Sequence, residues 1–154
     1  MKFEFYFIGK TTESYLAQGI DGYCRKLEHY MNTLIKIVPV SANKNKVKAM
    51  QEEAEIMMKS ISGNDFVIVL DEKGKQFSSI ELSNEFQKIM NQSFSKIVFI
   101  VGNAYGIDAG LKKRANVVLS FSKLTFTHQM IRLLLVEQVY RAMTIWKGES
   151  YHHD

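Results

Sequence analysis

Two unbroken apolar runs constrain this chain most: residues 66–70 (FVIVL) and Lys96–Val101 (KIVFIV). Neither alternates with polar residues, so each must be covered on both faces, as strands of a parallel sheet are. Other segments fall in step with them. Residues 2–8 alternate like a strand, with Phe3, Phe5 and Phe7 on one face and Tyr6 and Ile8 on the other. Residues 12–31 place Tyr15, Ile20, Tyr23, Leu27 and Tyr30 near helical spacing. Thr33–Val38 reads as a second strand stopped by Pro39. Residues 41–48 form a polar, lysine-rich loop that leads into a charged helix ending near residue 60. A helix over 79–91 separates the two apolar runs, and a short strand over 116–120 precedes a last helix that begins near Thr127. Strand and helix alternating in this way predict an α/β fold, a mainly parallel sheet sandwiched by helices. No repeat or linker divides residues 1–154, which read as a single domain.

Several function classes drop out early. The one cysteine, Cys24, allows no internal disulfide and reads as a packing residue of a protein in the reducing cytoplasm. The start, MKFEFYFIGK, lacks the continuous apolar stretch of a secretory signal. No run approaches the roughly 18 apolar residues that span a bilayer. The net charge is +4, and its distribution is uneven. Residues 1–111 hold 13 basic and 13 acidic side chains, whereas residues 112–154 hold seven basic against three acidic, with three of the four histidines. A solvated helix face explains such an excess as simply as a nucleic-acid backbone does; the latter is the polyanion that best matches it.

Ligands of open parallel sheets gather at the carboxyl ends of the strands. Three such ends carry suitable residues here: the turn over 70–75 (LDEKGK), Gly102-Asn103-Ala104-Tyr105-Gly106, and the loop over 120–126. Together they could hold an adenine-bearing cofactor between apolar walls. The glycine spacing is neither the dinucleotide fingerprint nor a P-loop. Asp71 at a strand end has the place of a receiver-type phospho-acceptor, yet Phe7-Ile8-Gly9-Lys10 offers none of the acidic partners that Mg²⁺ needs. His152 and His153 lie far from His128 with no cysteine cluster, which argues against zinc.

The last helix carries an apolar stripe of Ile131, Leu134, Leu135, Val139, Ala142, Met143 and Trp146, read by default as core, with width enough for part of it to pack against a second subunit. Glu137 and Arg141 read as an ordinary surface pair. His128 and Glu137 are nine residues apart, about 900° of helical rotation, so they point to opposite sides. Only a second copy, or a returning tail, brings both to one reacting atom. The tail Tyr151-His152-His153-Asp154 displays a phenol and two imidazoles at what reads as a frayed terminus, which suggests a site.

The stretch LSFSKLTFTHQMIRLLLVEQVYRA followed by GESYHH resembles the C-terminal signature of the ribosomal large subunit RNA methyltransferase H family, SPOUT-class enzymes. The likeness includes the Ile8-Gly9-Lys10 step, the LDEKGK turn and the loop at Gly102. It implies a SPOUT-type α/β fold with a C-terminal trefoil knot. It also implies a cytoplasmic homodimer that uses S-adenosyl-L-methionine, without metal or membrane. The implied reaction is methylation of N3 of a pseudouridine in helix 69 of 23S rRNA on the assembled 70S ribosome. The resemblance puts cofactor contacts at Leu70, Gly102, Phe121, Ser122, Lys123, Leu124, Thr125 and Phe126. It puts the catalytic and RNA-facing group at His128, Glu137, Arg141, Tyr151 and His152. Three departures stand out: Asn103 replaces a glycine, Tyr105 a small or polar residue, and Thr127 a proline. Asn103 tolerates left-handed geometry and Thr127 can cap the helix. The alternative class is a non-catalytic ribosome- or RNA-binding α/β module.

Overall fold

The computed structural model describes residues 1–153; Asp154 of the expected tail lies outside the described residues. Five strands, β1 (Phe3–Ile8), β2 (Thr33–Val38), β3 (Asp65–Gln76), β4 (Lys96–Val101) and β5 (Val117–Ser120), form one parallel sheet in the order β2-β1-β4-β3-β5. Five helices connect and cover them: α1 (Ser14–Glu28), α2 (Lys46–Met58), α3 (Ser79–Met90), α4 (Ala109–Arg114) and α5 (Met130–Trp146). The expected α/β sandwich is thus present.

The period-two alternation of the central strands divides the interior into two cores. Phe3, Phe5, Phe7, Ile97, Phe99 and Val101 face α1, α3 and α5, and Phe5 stacks on Phe99 with centroids 4.8 Å apart. Tyr6, Ile8, Val67, Val69, Val98 and Ile100 face the other way, onto Ala54 and Met57 of α2 and Leu111 of α4. Cys24 is buried on the inner face of α1, and burial pushes its thiol up to about 12, so it is the inert packing residue expected. Trp146 packs half-buried against the first core.

Four local expectations need correction. Helix α1 is shorter at both ends than residues 12–31. The stretch 70–75 is not a simple turn: β3 continues through it, with a register slip that pairs both Leu70 and Lys75 with Leu119, so the intervening residues bulge out of the ladder. Helix α4 was not anticipated; Asp108 caps it by accepting from the Gly110 and Leu111 backbone N–H groups. The last helix starts at Met130 rather than at Thr127, whose hydroxyl accepts from the Met130 N–H at 3.0 Å and so caps the turn before it.

A polar cluster lies under the amino ends of β1 and β4. Glu4, 3 % exposed, receives Lys96 Nζ and Lys2 Nζ at 2.7 Å each and the Tyr6 hydroxyl at 2.8 Å. Burial alone would raise the Glu4 pKa, but the donors from Lys2, Lys96 and Tyr6 prevail and hold it at about 2. A depressed folded-state pKa means stability that is full above the unfolded value near 4.5 and is lost as pH falls toward 2. The loss should amount to about 3 kcal/mol by linkage. Denaturant titrations between pH 6 and 2 should show it, and Glu4→Gln should be less stable at neutral pH with a flatter acid limb. An acid limb unchanged by that substitution would assign the effect to other carboxylates.

Candidate active site

A cavity of about 440 Å³ opens at the carboxyl edge of β3, β4 and β5, inside the roughly 300–1,000 Å³ typical of small-molecule sites. The three loops anticipated there converge. Leu70 to Lys73 come from the β3 bulge, Val101 to Ile107 from the loop after β4, and Leu119 to Ser122 with Leu124 to Phe126 from the loop after β5; His128, Ile131 and Lys112 complete the lining. The walls are tied to each other. Thr125 donates from its hydroxyl to Glu72 at 3.2 Å, joining the first loop to the third. Lys112 of α4 bridges Asp71 at 2.6 Å. Partial burial works against the Asp71 carboxylate, but the Lys112 ammonium and the Lys73 N–H outweigh it and lower its pKa. Ser120 and Ser122 fold the third loop on itself, Ser120 Oγ donating to the Ser122 carbonyl at 2.9 Å and Ser122 Oγ accepting from the Leu124 N–H at 3.0 Å.

The middle loop depends on its glycines. A Cβ on Gly102 would sit 2.3 Å from the Gly106 carbonyl oxygen, and Gly106 itself adopts φ +103°. Asn103, between them, keeps an ordinary negative φ, so it does not use the left-handed freedom anticipated for it. Its amide instead donates to Glu53 Oε2 of α2 at 3.0 Å and accepts from the Tyr105 N–H at 2.8 Å. Glu53, 1 % exposed, also accepts from the Ser41 N–H. Sequence reading missed this link; an acidic residue on the inner face of a helix was its only signal.

Of the anticipated cofactor residues, Leu70, Gly102, Phe121, Ser122, Leu124, Thr125 and Phe126 line the cavity; Lys123 is exposed and does not. Of the anticipated catalytic group, only His128 does. Its pKa is lowered, first by burial and then by the neighbouring charge of Arg132, so the neutral imidazole predominates at pH 7.

The remaining four form a separate cluster, outside the cavity lining, where α5, α1 and the tail meet. Tyr151 donates to Glu137 Oε1 at 3.0 Å and lies 3.1 Å from the Tyr23 hydroxyl of α1. Its ring meets Tyr140 edge-on at 4.8 Å and lies 4.7 Å from the Arg141 guanidinium. Arg141 grips Glu137 at 2.6 Å and reaches His152 Nδ1 at 3.3 Å. Two expectations fall here. Glu137–Arg141 is a half-buried pair built into a network, not an ordinary surface pair, and the described part of the tail is docked on α1 and α5 rather than frayed. Burial, then the Tyr23 and Glu137 hydrogen bonds, raise the Tyr151 pKa, so its phenol is a donor at neutral pH.

The basic excess of the C-terminal segment is also dispersed. Arg132 is fully buried, giving hydrogen bonds to the Ile8 and Gly9 carbonyls at 2.6 and 3.0 Å and to Thr11 Oγ1 at 3.1 Å. Burial lowers its pKa to about 10, which leaves it charged at neutral pH. Arg114 donates to the Ser62 and Asp65 carbonyls. The last helix therefore presents no basic face to a polyanion. Among the described residues no cluster of histidine, cysteine or carboxylate side chains suits a metal ion, and no helix is long and apolar enough to cross a membrane.

Comparison with known proteins gives this cavity a context. A family model described as "Predicted SPOUT methyltransferase" matches residues 1–152. Proteins named ribosomal RNA large subunit methyltransferase H are similar along the chain: that of Parabacteroides distasonis is 41% identical over 100% of both chains. That of Christiangramia forsetii is 41% identical over 95% of both. Among solved structures, the tRNA (m1G37) methyltransferase from Aquifex aeolicus superposes with a TM-score of 0.59 at 15% identity, covering 92% of this chain and 70% of that one, a likeness of fold. The chain belongs to the ribosomal RNA large subunit methyltransferase H family of SPOUT methyltransferases.

Proposed function

We propose that the protein transfers a methyl group from S-adenosylmethionine to N3 of a pseudouridine in helix 69 of 23S rRNA, acting as a cytoplasmic homodimer on the assembled 70S ribosome. The trefoil knot of the C-terminal segment belongs to the same reading. The observation that carries it is the convergence of three strand-end loops on one cavity in a chain of this family. The cavity suits the cofactor: Leu70, Leu119, Ile107 and Ile131 supply apolar walls, and side-chain-free Gly102 brings backbone against its rim. Leu70, Gly102, Phe121, Ser122, Leu124, Thr125 and Phe126 would hold it there. When bound, S-adenosylmethionine supplies an electrophilic methyl group on a cationic sulfur.

The protein's own part is mostly positioning. His128, neutral and facing the cavity, accepts the N3 proton as the base is methylated. Tyr151, held by Glu137 and Tyr23, and His152, held by Arg141, orient the target base. None of Glu137, Arg141, Tyr151 and His152 lines the cavity of its own chain, so the reading assigns them to the cavity of a second copy. The half-buried Tyr23, Tyr140 and Leu133, with the exposed Tyr15, give α1 and α5 an apolar face that suits such pairing.

Two measurements test this. Calorimetry should find micromolar S-adenosylmethionine binding by the purified protein; its absence would favour a non-catalytic RNA-binding module. Mass spectrometry of ribosomal RNA from cells lacking the protein should show unmethylated pseudouridine in the helix 69 fragment, restored by the wild-type gene. A fully methylated fragment in those cells would refute the assigned target.

A further inference from the structure

With Arg132 buried and Arg141, Arg114 and Lys112 engaged, the exposed cations about the cavity are lysines: Lys73 in its lining, Lys123 in the third loop, and Lys46 against the rim residue Tyr105. Lys46, the first residue of α2, places its ammonium 4.2 Å from the centroid of the Tyr105 ring, and Lys44 and Lys48 flank it as exposed side chains. Tyr105 belongs to the cavity lining yet is 62 % exposed, whereas Leu70, Val101, Gly102 and Leu119 beneath it are buried. It is a rim residue, with its ring presented outward.

The backbone at Tyr105 and the lysine segment are tied to one anchor. Asn103 accepts from the Tyr105 N–H and donates to Glu53, and Glu53 also holds the Ser41 backbone at the head of the lysine-rich segment. A loop ordered in advance leaves only the ring of Tyr105 to be immobilised when something stacks on it. S-adenosylmethionine carries a single carboxylate, already balanced by its own ammonium and cationic sulfur. RNA sets a phosphodiester beside every nucleobase, so one nucleotide supplies both the anion for Lys46 and the flat partner for the ring.

We propose that Tyr105 and Lys46 form a docking platform for the RNA substrate: an unpaired nucleotide next to the target base stacks on Tyr105, and Lys46 holds its phosphate. This rests on the RNA-methylation reading above and adds the contact that aims the RNA at the cavity. Tyr105 is on this account a specificity-determining residue rather than a catalytic one.

The test uses full-length protein and 70S ribosomes from cells lacking it. Tyr105→Ala should weaken co-sedimentation with ribosomes about tenfold and raise the KM for ribosomes equally, while kcat changes less than about twofold. Tyr105→Phe and Tyr105→Trp, which keep a stacking ring, should restore both. Lys46→Ala should weaken co-sedimentation severalfold and flatten its salt dependence. Equal co-sedimentation by wild type and Tyr105→Ala overturns the platform, as does a wild type that does not pellet with ribosomes. A defect confined to S-adenosylmethionine affinity overturns it too, by making Tyr105 a cofactor contact. Because pelleting needs no methyl donor, failure of the methyltransferase reading would appear separately, as wild-type protein that pellets but gives no heat with S-adenosylmethionine.

Discussion

Gly102→Val is expected to abolish S-adenosylmethionine binding, lowering affinity by about a hundredfold or more, in a protein that still folds. The argument is steric. The first added carbon would sit 2.3 Å from the Gly106 carbonyl oxygen and 2.8 Å from Ile107 Cδ1. The Ile107 methyl can rotate away, but the Gly106 oxygen is backbone, in a residue whose own N–H donates to the Asn103 carbonyl at 3.0 Å, so the loop itself must open. Overpacking of this kind costs roughly 1–3 kcal/mol in a core. Here the strain falls on the wall of the cavity, so about a hundredfold of affinity corresponds to its upper end. Gly63→Ala, where an added Cβ meets nothing within 4 Å, is the control. Calorimetry reads affinity, and thermal unfolding reads the fold. Retention of micromolar affinity by Gly102→Val would remove the middle loop from the cofactor site.

The three loops were legible in the sequence because each follows a strand whose apolar composition marks it unmistakably. FVIVL and KIVFIV needed no partner to be identified, and loops at the carboxyl ends of parallel strands follow from the fold class. The β3 bulge was not legible, since a register slip is a property of the pair: only the second alignment with Leu119 reveals it. Helix α4 has six residues with one buried side chain, Leu111, too little for periodicity to register. Arg132 adds to the basic count of residues 112–154 without being available to RNA, and a signal for this lies in plain view. It shares a helix face with Leu135, Val136, Val139 and Met143, all buried, and an arginine on that face must be satisfied from inside. The Glu137–Tyr151–Tyr23 network joins α5, the tail and α1 across 128 residues of sequence, and no local pattern announces such a meeting. The resemblance named Glu137 and Tyr151, though not Tyr23, without saying that they lie apart from the cavity.

That separation generates the sharpest prediction. Deleting residues 151–154 should reduce methylation about a thousandfold, the scale of losing groups that orient and assist a proton transfer. Folding and cofactor affinity should survive, because the first core is closed by Leu135, Val136, Val139 and Met143 rather than by the tail. Taken alone, such a loss would fit a tail that serves its own subunit as well as one that serves its partner. Mixing separates the two. The truncated chain keeps an intact cavity but has no Tyr151 or His152; Gly102→Val keeps the tail but has no usable cavity. If the tail acts across a dimer, the hybrid unites one intact cavity with one intact tail. Random exchange of two inactive proteins should then recover about a quarter of the wild-type rate, since half of the dimers are hybrids with one working site of two. If the tail acts within its own chain, no hybrid contains a complete site and the mixture stays inactive. Recovery scaling with the hybrid fraction in a titration of one variant into the other would mark the tail as the partner's. A silent mixture, with subunit exchange verified by differently tagged chains, would instead require the docked tail to leave α1 and fold back over its own cavity.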